Sequence, residues 1–264
     1  MINPTLNKIE NYWFEKIPCL HRLHDGIPKV GAHKIQHRIG MSLSLKDLDR
    51  NIEDMLSRLS IDQNMKQRAL LTFDDGHKDV LLSFPILQNY PEIQPVLFLT
   101  GKQLCGDSRA LPLTALYKWC FTNNMDLTDL EKYMGFNRQS LKLLPEDEQR
   151  SVLENKGIDT NPIEEEMVSS SDIDLLMKNG WIIGYHGPEH CDLQIFQSNE
   201  IEKMFLRDIK YFKGKSFVPW FAWPEGRYNE ELARIAKSAG FITQFGLESV
   251  RVNKSYIYKR RIWK

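Results

Sequence analysis

Two carboxylates stand side by side at Asp74-Asp75, between the apolar run Leu70-Leu71-Thr72-Phe73 and Gly76. Like charges this close repel, unless a cation sits between them or one acid stays protonated. A metal plus a base is one chemistry that fits; a solvated Asp-Asp-Gly turn after a core strand is the other. Much further along, Trp181-Ile182-Ile183-Gly184-Tyr185 runs into His186-Gly187-Pro188-Glu189-His190. Two imidazoles spaced by four share one side of a helical turn or tight loop, and imidazole with carboxylate suits zinc and similar divalent ions. Alone, such a pair is more often incidental. Beside a second strand that ends in Asp-Asp-Gly, it points to three ligands around an open catalytic position.

Each group needs a strand to deliver it. The apolar run through Phe73 reads as a buried strand, and Gly76 permits the positive-φ turn that takes the chain away after the acids. Neighbouring strand residues face opposite ways, so Asp74 and Asp75 share a site only if the strand has already begun to turn. Val80, Leu81, Phe84 and Leu87 suggest a helix lying back on the sheet, with Pro85 able to break it. Ser44 with Asp47 caps a helix carrying Leu48, Ile52, Met55, Leu56 and Leu59 at helical spacing. Ser171 is the expected cap of a helix over 172–178 that Gly180 ends; Ile201, Phe205, Ile209 and Phe212 mark another helix, and Asn229 caps one closed by Gly240. Ile17–Leu20, Phe217–Ala222 and Phe241–Phe245 read as strands, and 28–38 as loop. Such β-to-α alternation argues for a parallel sheet or barrel with its chemistry at the strands' C-terminal ends. Residues 102–170 break it with short helices at 113–121, 127–134 and 146–153 and an acidic run, Glu164 to Glu166, expected on a solvated face.

Taken together, the motifs resemble those of the NodB-homology polysaccharide deacetylases, carbohydrate esterase family 4. Thr72-Phe73-Asp74-Asp75-Gly76 is similar to the family's first motif, Ile183 to Leu193 to its second, and Phe221-Ala222-Trp223-Pro224-Glu225-Gly226 to its third. Pro95 to Gly101 resembles the strand that follows the first motif, and Leu20-His21-Arg22-Leu23-His24-Asp25 a Tyr-His-Arg segment near the start of many members. The likeness covers about residues 66–101 and 172–245, in the family's order.

The resemblance implies an α/β fold, a distorted (β/α) barrel, here with a helical insertion over about 102–170 in a single domain spanning 1–264. It also implies removal of an N-acetyl group from an amino sugar or glycan with a divalent metal, zinc first among candidates. Asp75, His186 and His190 would hold the ion, and Asp74 would be the general base. Trp223, Pro224 and Glu225 would meet substrate; Trp223 would stack on a sugar ring or else be a core aromatic, and a backbone N–H near Glu225 would help stabilise the oxyanion. The departures are specific. Ala222 and Trp223 stand where many members carry an arginine that orients the aspartate, and Glu225 where an aromatic is common. No histidine follows His190, so the late leucine-histidine motif that supplies the general acid is absent. His21 is the first substitute for protonating the leaving amine, with His24 and Glu225 behind it. Hydrolysis of a non-sugar amide or formamide, and a catalytically silent glycan-binding module, are the alternatives.

Composition excludes other classes. Lys plus Arg and Asp plus Glu are 35 each, so no net field recruits nucleic acid or an anionic membrane. The basic end from Lys259 to Lys264 is either a closing strand with Arg260 or Arg261 turned inward or a set of solvated cations, and is too short to argue for nucleic acid. No run approaches the ~18 apolar residues of a membrane span, and none resembles a signal peptide, so a cytoplasmic location is expected. Cys19, Cys105, Cys120 and Cys191 form no Cys-x-x-Cys pair, which favours reduced thiols, with Cys191 as a small packing residue.

Overall fold

The computed structural model describes residues 12–13, 17–29, 31–58, 68–161, 166–214, 217–248 and 254–263. The strands are β1 (Tyr12–Trp13), β2 (Ile17–Leu20), β3 (Arg22–His24), β4 (Ser42–Ser44), β5 (Arg68–Phe73), β6 (Ile93–Leu99), β7 (Ile182–Tyr185), β8 (Trp220–Ala222), β9 (Thr243–Leu247) and β10 (Ile257–Ile262). All pairings between them are parallel, and they run β5-β2-β10-β9-β8-β7-β6 and back to β5, with β1 outside the ring on β5. This is a closed seven-strand parallel barrel flanked by helices, the (β/α) barrel that the motifs implied. Separately, β3 pairs with β4.

A closed parallel barrel needs apolar side chains on both surfaces of its strands. Ile17, Leu70, Val96, Phe98, Ile182 and Phe245 fill the inside. Leu71, Phe73, Leu97, Ile183 and Phe221 point outward to the helices. Those helices are α2 (Leu45–Arg58), α3 (Phe84–Leu87), α9 (Ser170–Lys178), α10 (Ser198–Gly214) and α11 (Glu230–Ala239). Their ends follow local chemistry. Ser44 accepts from Asp47 N–H at 3.0 Å, and Asn229 from Leu232 N–H at 2.9 Å. The cap of α9 is Ser169, two residues before the expected Ser171, because only Ser169 completes a reciprocal capping box with Asp172.

Between β6 and β7 the chain leaves the barrel through α4 (Gly101–Leu104), α5 (Pro112–Thr122), α6 (Leu127–Met134), α7 (Arg138–Leu141) and α8 (Glu146–Glu154). Stretch 28–38, expected as loop, carries helix α1 (Gly31–Arg38). Its apolar content is too thin to announce a helix, but Ala32 and Ile35 complete a core with Leu116, Tyr117, Cys120 and Leu153. Tertiary packing overrides weak local preference there. Insertion and α1 thus form one body beside the C-terminal mouth of the barrel. Within the acidic run Glu164 and Glu165 lie outside the described residues, and Glu166 ion-pairs with buried Arg22 at 2.8 Å instead of facing solvent alone.

Candidate active site

Strand β5 ends at Phe73, and the next residues carry out the turn the paired acids required. Asp75 and Gly76 both take φ of +73°, so the chain reverses and both carboxylates reach one cavity. Gly76 is also forced by space: a Cβ there would lie 2.5 Å from Leu99 Cδ2. The turn is tied down by Gln103, whose side-chain amide donates to Asp75 O at 2.8 Å.

His186 follows β7 and donates its backbone N–H to Leu99 O at 2.8 Å. Its Nδ1 lies 2.8 Å from Ala222 O, an arrangement that makes Nδ1 the protonated nitrogen and leaves the Nε2 lone pair for the cavity. His190 sits on the following loop, which the insertion holds: Glu146 Oε2 accepts from His190 N–H at 3.4 Å, Glu189 Oε1 from Glu146 N–H at 2.9 Å, and Lys142 O from Asp192 N–H at 3.1 Å. Asp75 Oδ1 is 3.0 Å from His190 Nε2 and 3.4 Å from His186 Nε2, yet it is buried without an aligned hydrogen-bond donor. An orphaned carboxylate oxygen facing two imidazole nitrogens is a donor set that fits a divalent ion. These ligand-capable atoms of Asp75, His186 and His190 lie within 4.8 Å of one another.

Electrostatics agree with a site built for positive charge. Burial pushes the Asp75 carboxyl up, and the neighbouring His190 and His186 imidazoles pull it well below the carboxylate range. Burial alone would lower His190, but Asp75 raises it to about 9.

Asp74 is held differently. Arg260 Nη1 and Nη2 donate to its two oxygens at 2.6 and 2.7 Å, and Nη1 also reaches Thr72 Oγ1 at 3.2 Å. Burial pushes Asp74 up; the guanidinium, with His186 and His21 nearby, more than offsets it and brings the pKa to about 2. Arg260 itself is 1% exposed. Of the two readings of the basic end, the structure takes the inward one for Arg260: it supplies from β10 the arginine that the third motif lacks. Cys19 Sγ donates to Asp74 Oδ2 at 3.3 Å, and His21 completes a second cluster with Cys19 and Asp74. That cluster does not fit a second ion, since the guanidinium already occupies both Asp74 oxygens.

The third motif divides. Trp223 is fully buried, stacked on Tyr228 with its Nε1 donating to Gln244 at 3.2 Å, so it is a core aromatic and cannot stack on a sugar. Pro224 is buried as well, packed where a Cβ on Gly187 would come within 2.9 Å of its Cγ. Neither lines the cavity; Glu225 does, at φ +55°. Of the backbone donors near Glu225, the Gly226 N–H is committed to Trp223 O at 2.9 Å. His24 is also outside, edge-on to the rings of His33 and His37. Cys191 is fully buried, as a packing residue would be.

The cavity, about 230 Å³, has Asp74, Asp75 and both histidines at its floor. Its walls come from α1 and the turn after it (Ile39, Met41), from the insertion (Leu111, Leu113, Tyr117, Lys142) and from β9 and β10. Lys142 and the other wall residues from the insertion carried no signal in sequence, because they sit in the stretch without strand–helix alternation.

Comparison with known proteins bears on the family likeness and the fold. The sequence model of the polysaccharide deacetylase family matches residues 138–243, a span holding the second and third motifs but not Asp74 or Asp75. A de-N-acetylase from Aggregatibacter actinomycetemcomitans superposes with a TM-score of 0.54 at 14% identity, covering 94% of this chain and 93% of its own. The Streptococcus pyogenes deacetylase PplD, determined with acetate, gives 0.53 at 15%, covering 94% and 92%. IcaB from Ammonifex degensii gives 0.50 at 14%, covering 93% and 91%. At these identities the structures establish the fold. No curated protein matches significantly. The resemblance to the NodB-type polysaccharide deacetylases therefore holds, in sequence over 138–243 and in fold over nearly the whole chain. Among the described residues no helix is long and apolar enough to cross a membrane.

Proposed function

We propose that the protein removes an N-acetyl group from an amino sugar or glycan with the help of a divalent metal, zinc first, held by Asp75, His186 and His190. One observation carries the reading: three ligand-capable atoms within 4.8 Å of one another share a cavity with a fourth group, Asp74, that a buried arginine keeps ionised. When bound, such an ion supplies polarisation of the amide carbonyl and a more acidic water, which lets a carboxylate of low pKa serve as base. The chain's own residues do the rest. Asp74 takes a proton from the attacking water, while Arg260 fixes the direction of the carboxylate. His21, on the same side as Asp74, passes that proton to solvent. The apolar wall from Leu111, Leu113, Ile39 and Met41 limits bulk water at the amide. A silent binding module has no need of a base, and the bidentate Arg260 clasp on Asp74 favours an enzyme.

The test is acetate release from a panel of N-acetylated sugars, nucleotide-linked sugars and short oligosaccharides. Metal-stripped, zinc-restored and Asp74→Asn protein run alongside wild type. Metal-dependent release that disappears in Asp74→Asn is expected. Stoichiometric metal and measurable glycan binding with no release from any member would replace the enzyme by a binding module.

A further inference from the structure

Amide hydrolysis needs a proton at the leaving nitrogen, and the chain has no histidine after His190 to give it. The cavity holds charged groups beside the Asp75–His186–His190 cluster. Asp74, Arg260, Cys19 and His21 gather on the His186 flank, where Asp74 Oδ2 is 3.9 Å from His186 Nε2. Glu225 and Lys142 line the same cavity, and Lys142 O accepts from Asp192 N–H, two residues past His190, at 3.1 Å. A group that meets the water and a group that meets the amine can approach one scissile bond from different sides. His21 shares the base's side, where it can relay the Asp74 proton, and it lines the same cavity as Lys142.

Resting on the deacetylase reading above, we propose that Lys142, delivered by the helical insertion, is the catalytic residue that protonates the leaving amine, with Glu225 as the carboxylate that aims it. Lys142 Nζ lies 2.6 Å from Glu225 Oε2, and both side chains line the cavity with 15% and 21% exposure. An ammonium has three N–H donors; Glu225 takes one, and the others can turn to a substrate. Glu225 is the counter-ion and holds no proton of its own to give. The placement is over-determined. Lys142 follows directly on α7, its carbonyl receives the Asp192 N–H from the loop that bears His190, and Glu225 keeps a left-handed backbone of the kind that persists only where its surroundings enforce it.

The step balances. As the tetrahedral intermediate collapses, the C–N bond breaks and its electron pair stays on nitrogen, which takes a proton from Nζ. Lysine is left neutral and regains a proton from solvent, which has received through His21 the one Asp74 took from water. One water is consumed, and a carboxylate and a protonated amine leave.

The experiment compares Lys142→Met and Lys142→Arg with wild type on two probes: the panel amide that wild type cleaves fastest, and 4-methylumbelliferyl acetate, whose leaving phenolate departs without a proton. Metal content is measured on all three proteins. General-acid loss is worth about 10²–10⁴-fold, so kcat on the amide falls by that factor in both variants while ester turnover and metal content stay. Arginine keeps the charge and the Glu225 pair but holds its proton too tightly to donate, so it does not rescue. Amide and ester falling together, an unchanged amide rate, or rescue by arginine would each overturn the assignment. Wild type that releases acetate from no panel member would instead remove the deacetylase reading itself, and Lys142 with it.

Discussion

Replacing Arg260 with Met tests whether the barrel's last strand controls the base. Both Asp74 oxygens lose a charged donor, at 2.6 and 2.7 Å, in a pocket where Asp74 is 4% exposed. Two unit charges near 4 Å interact by about 4 kcal/mol at an effective dielectric of 20. Breaking a buried pair by removing one partner costs about 3–5 kcal/mol in measured cases. At about 1.4 kcal/mol per unit, a loss of about 4 kcal/mol moves the Asp74 pKa up by about 3 units, from about 2 to near the middle of the acidic range. The sign of the pH dependence then reverses. In wild type the carboxyl sits below its ordinary 3.8, so it adds stability that is complete above that value and is lost as pH falls toward about 2. In the variant it sits above 3.8, so acidification restores stability by supplying the proton that replaces the guanidinium. The assays are denaturant unfolding at neutral and mildly acidic pH, and kcat/KM against pH. Arg260→Met should lose about 3–5 kcal/mol at neutral pH and shift the acid limb of kcat/KM upward. Combining it with Asp74→Asn should recover most of the stability, because no buried charge is left unpaired. Additive single and double variants, with a coupling under about 0.5 kcal/mol, together with an unmoved acid limb, would refute the pairing as the control of the base.

Other perturbations separate the remaining roles. If Asp75, His186 and His190 hold zinc as proposed, His190→Ala should lower bound zinc well below one per chain, measured by elemental analysis after dialysis; full occupancy would exclude the triad as the metal site. His21→Ala should lower acetate release by about 10²-fold, the low end for a lost proton-transfer group, with metal content unchanged, and an unaltered rate would take His21 out of the reaction. His33 is pushed down from 6.5 to about 3, by burial first and then by Arg22, His24 and His37. Below pH 6.5 the unfolded chain therefore binds a proton that the folded chain refuses, and stability falls as pH drops. By pH 5 the loss is about 1–2 kcal/mol. His33→Gln should flatten that part of the stability profile, and a slope equal to wild type would contradict the burial argument.

What the sequence disclosed and what it concealed follow from how locally each feature is written. Asp74, Asp75, His186 and His190 stand where short apolar runs stop, so strand, turn and ligand are legible within a few residues of one another. The barrel was legible for the same reason: most of its strands announce themselves by composition, and α2 and α11 by their caps. Arg260 is ambiguous in sequence, because a cation among Lys259, Arg261 and Lys264 reads equally as an inward residue of a closing strand or as part of a solvated tail. Only closure of the ring, with β10 between β9 and β2, points it at Asp74. Trp223 was open between two readings, as an aromatic inside a functional motif, and the structure takes the core one, with its ring beside Tyr228 and Phe221. Helix α1 and Lys142 are the hardest cases, since neither has a local pattern that states its role. The few apolar residues of α1 make sense only against α5, and Lys142 only against Glu225, 83 residues later. Candidate ligands that follow closely on a strand are written in local motifs; groups that approach from the insertion are fixed by long-range packing, and only the folded chain shows what they lie beside.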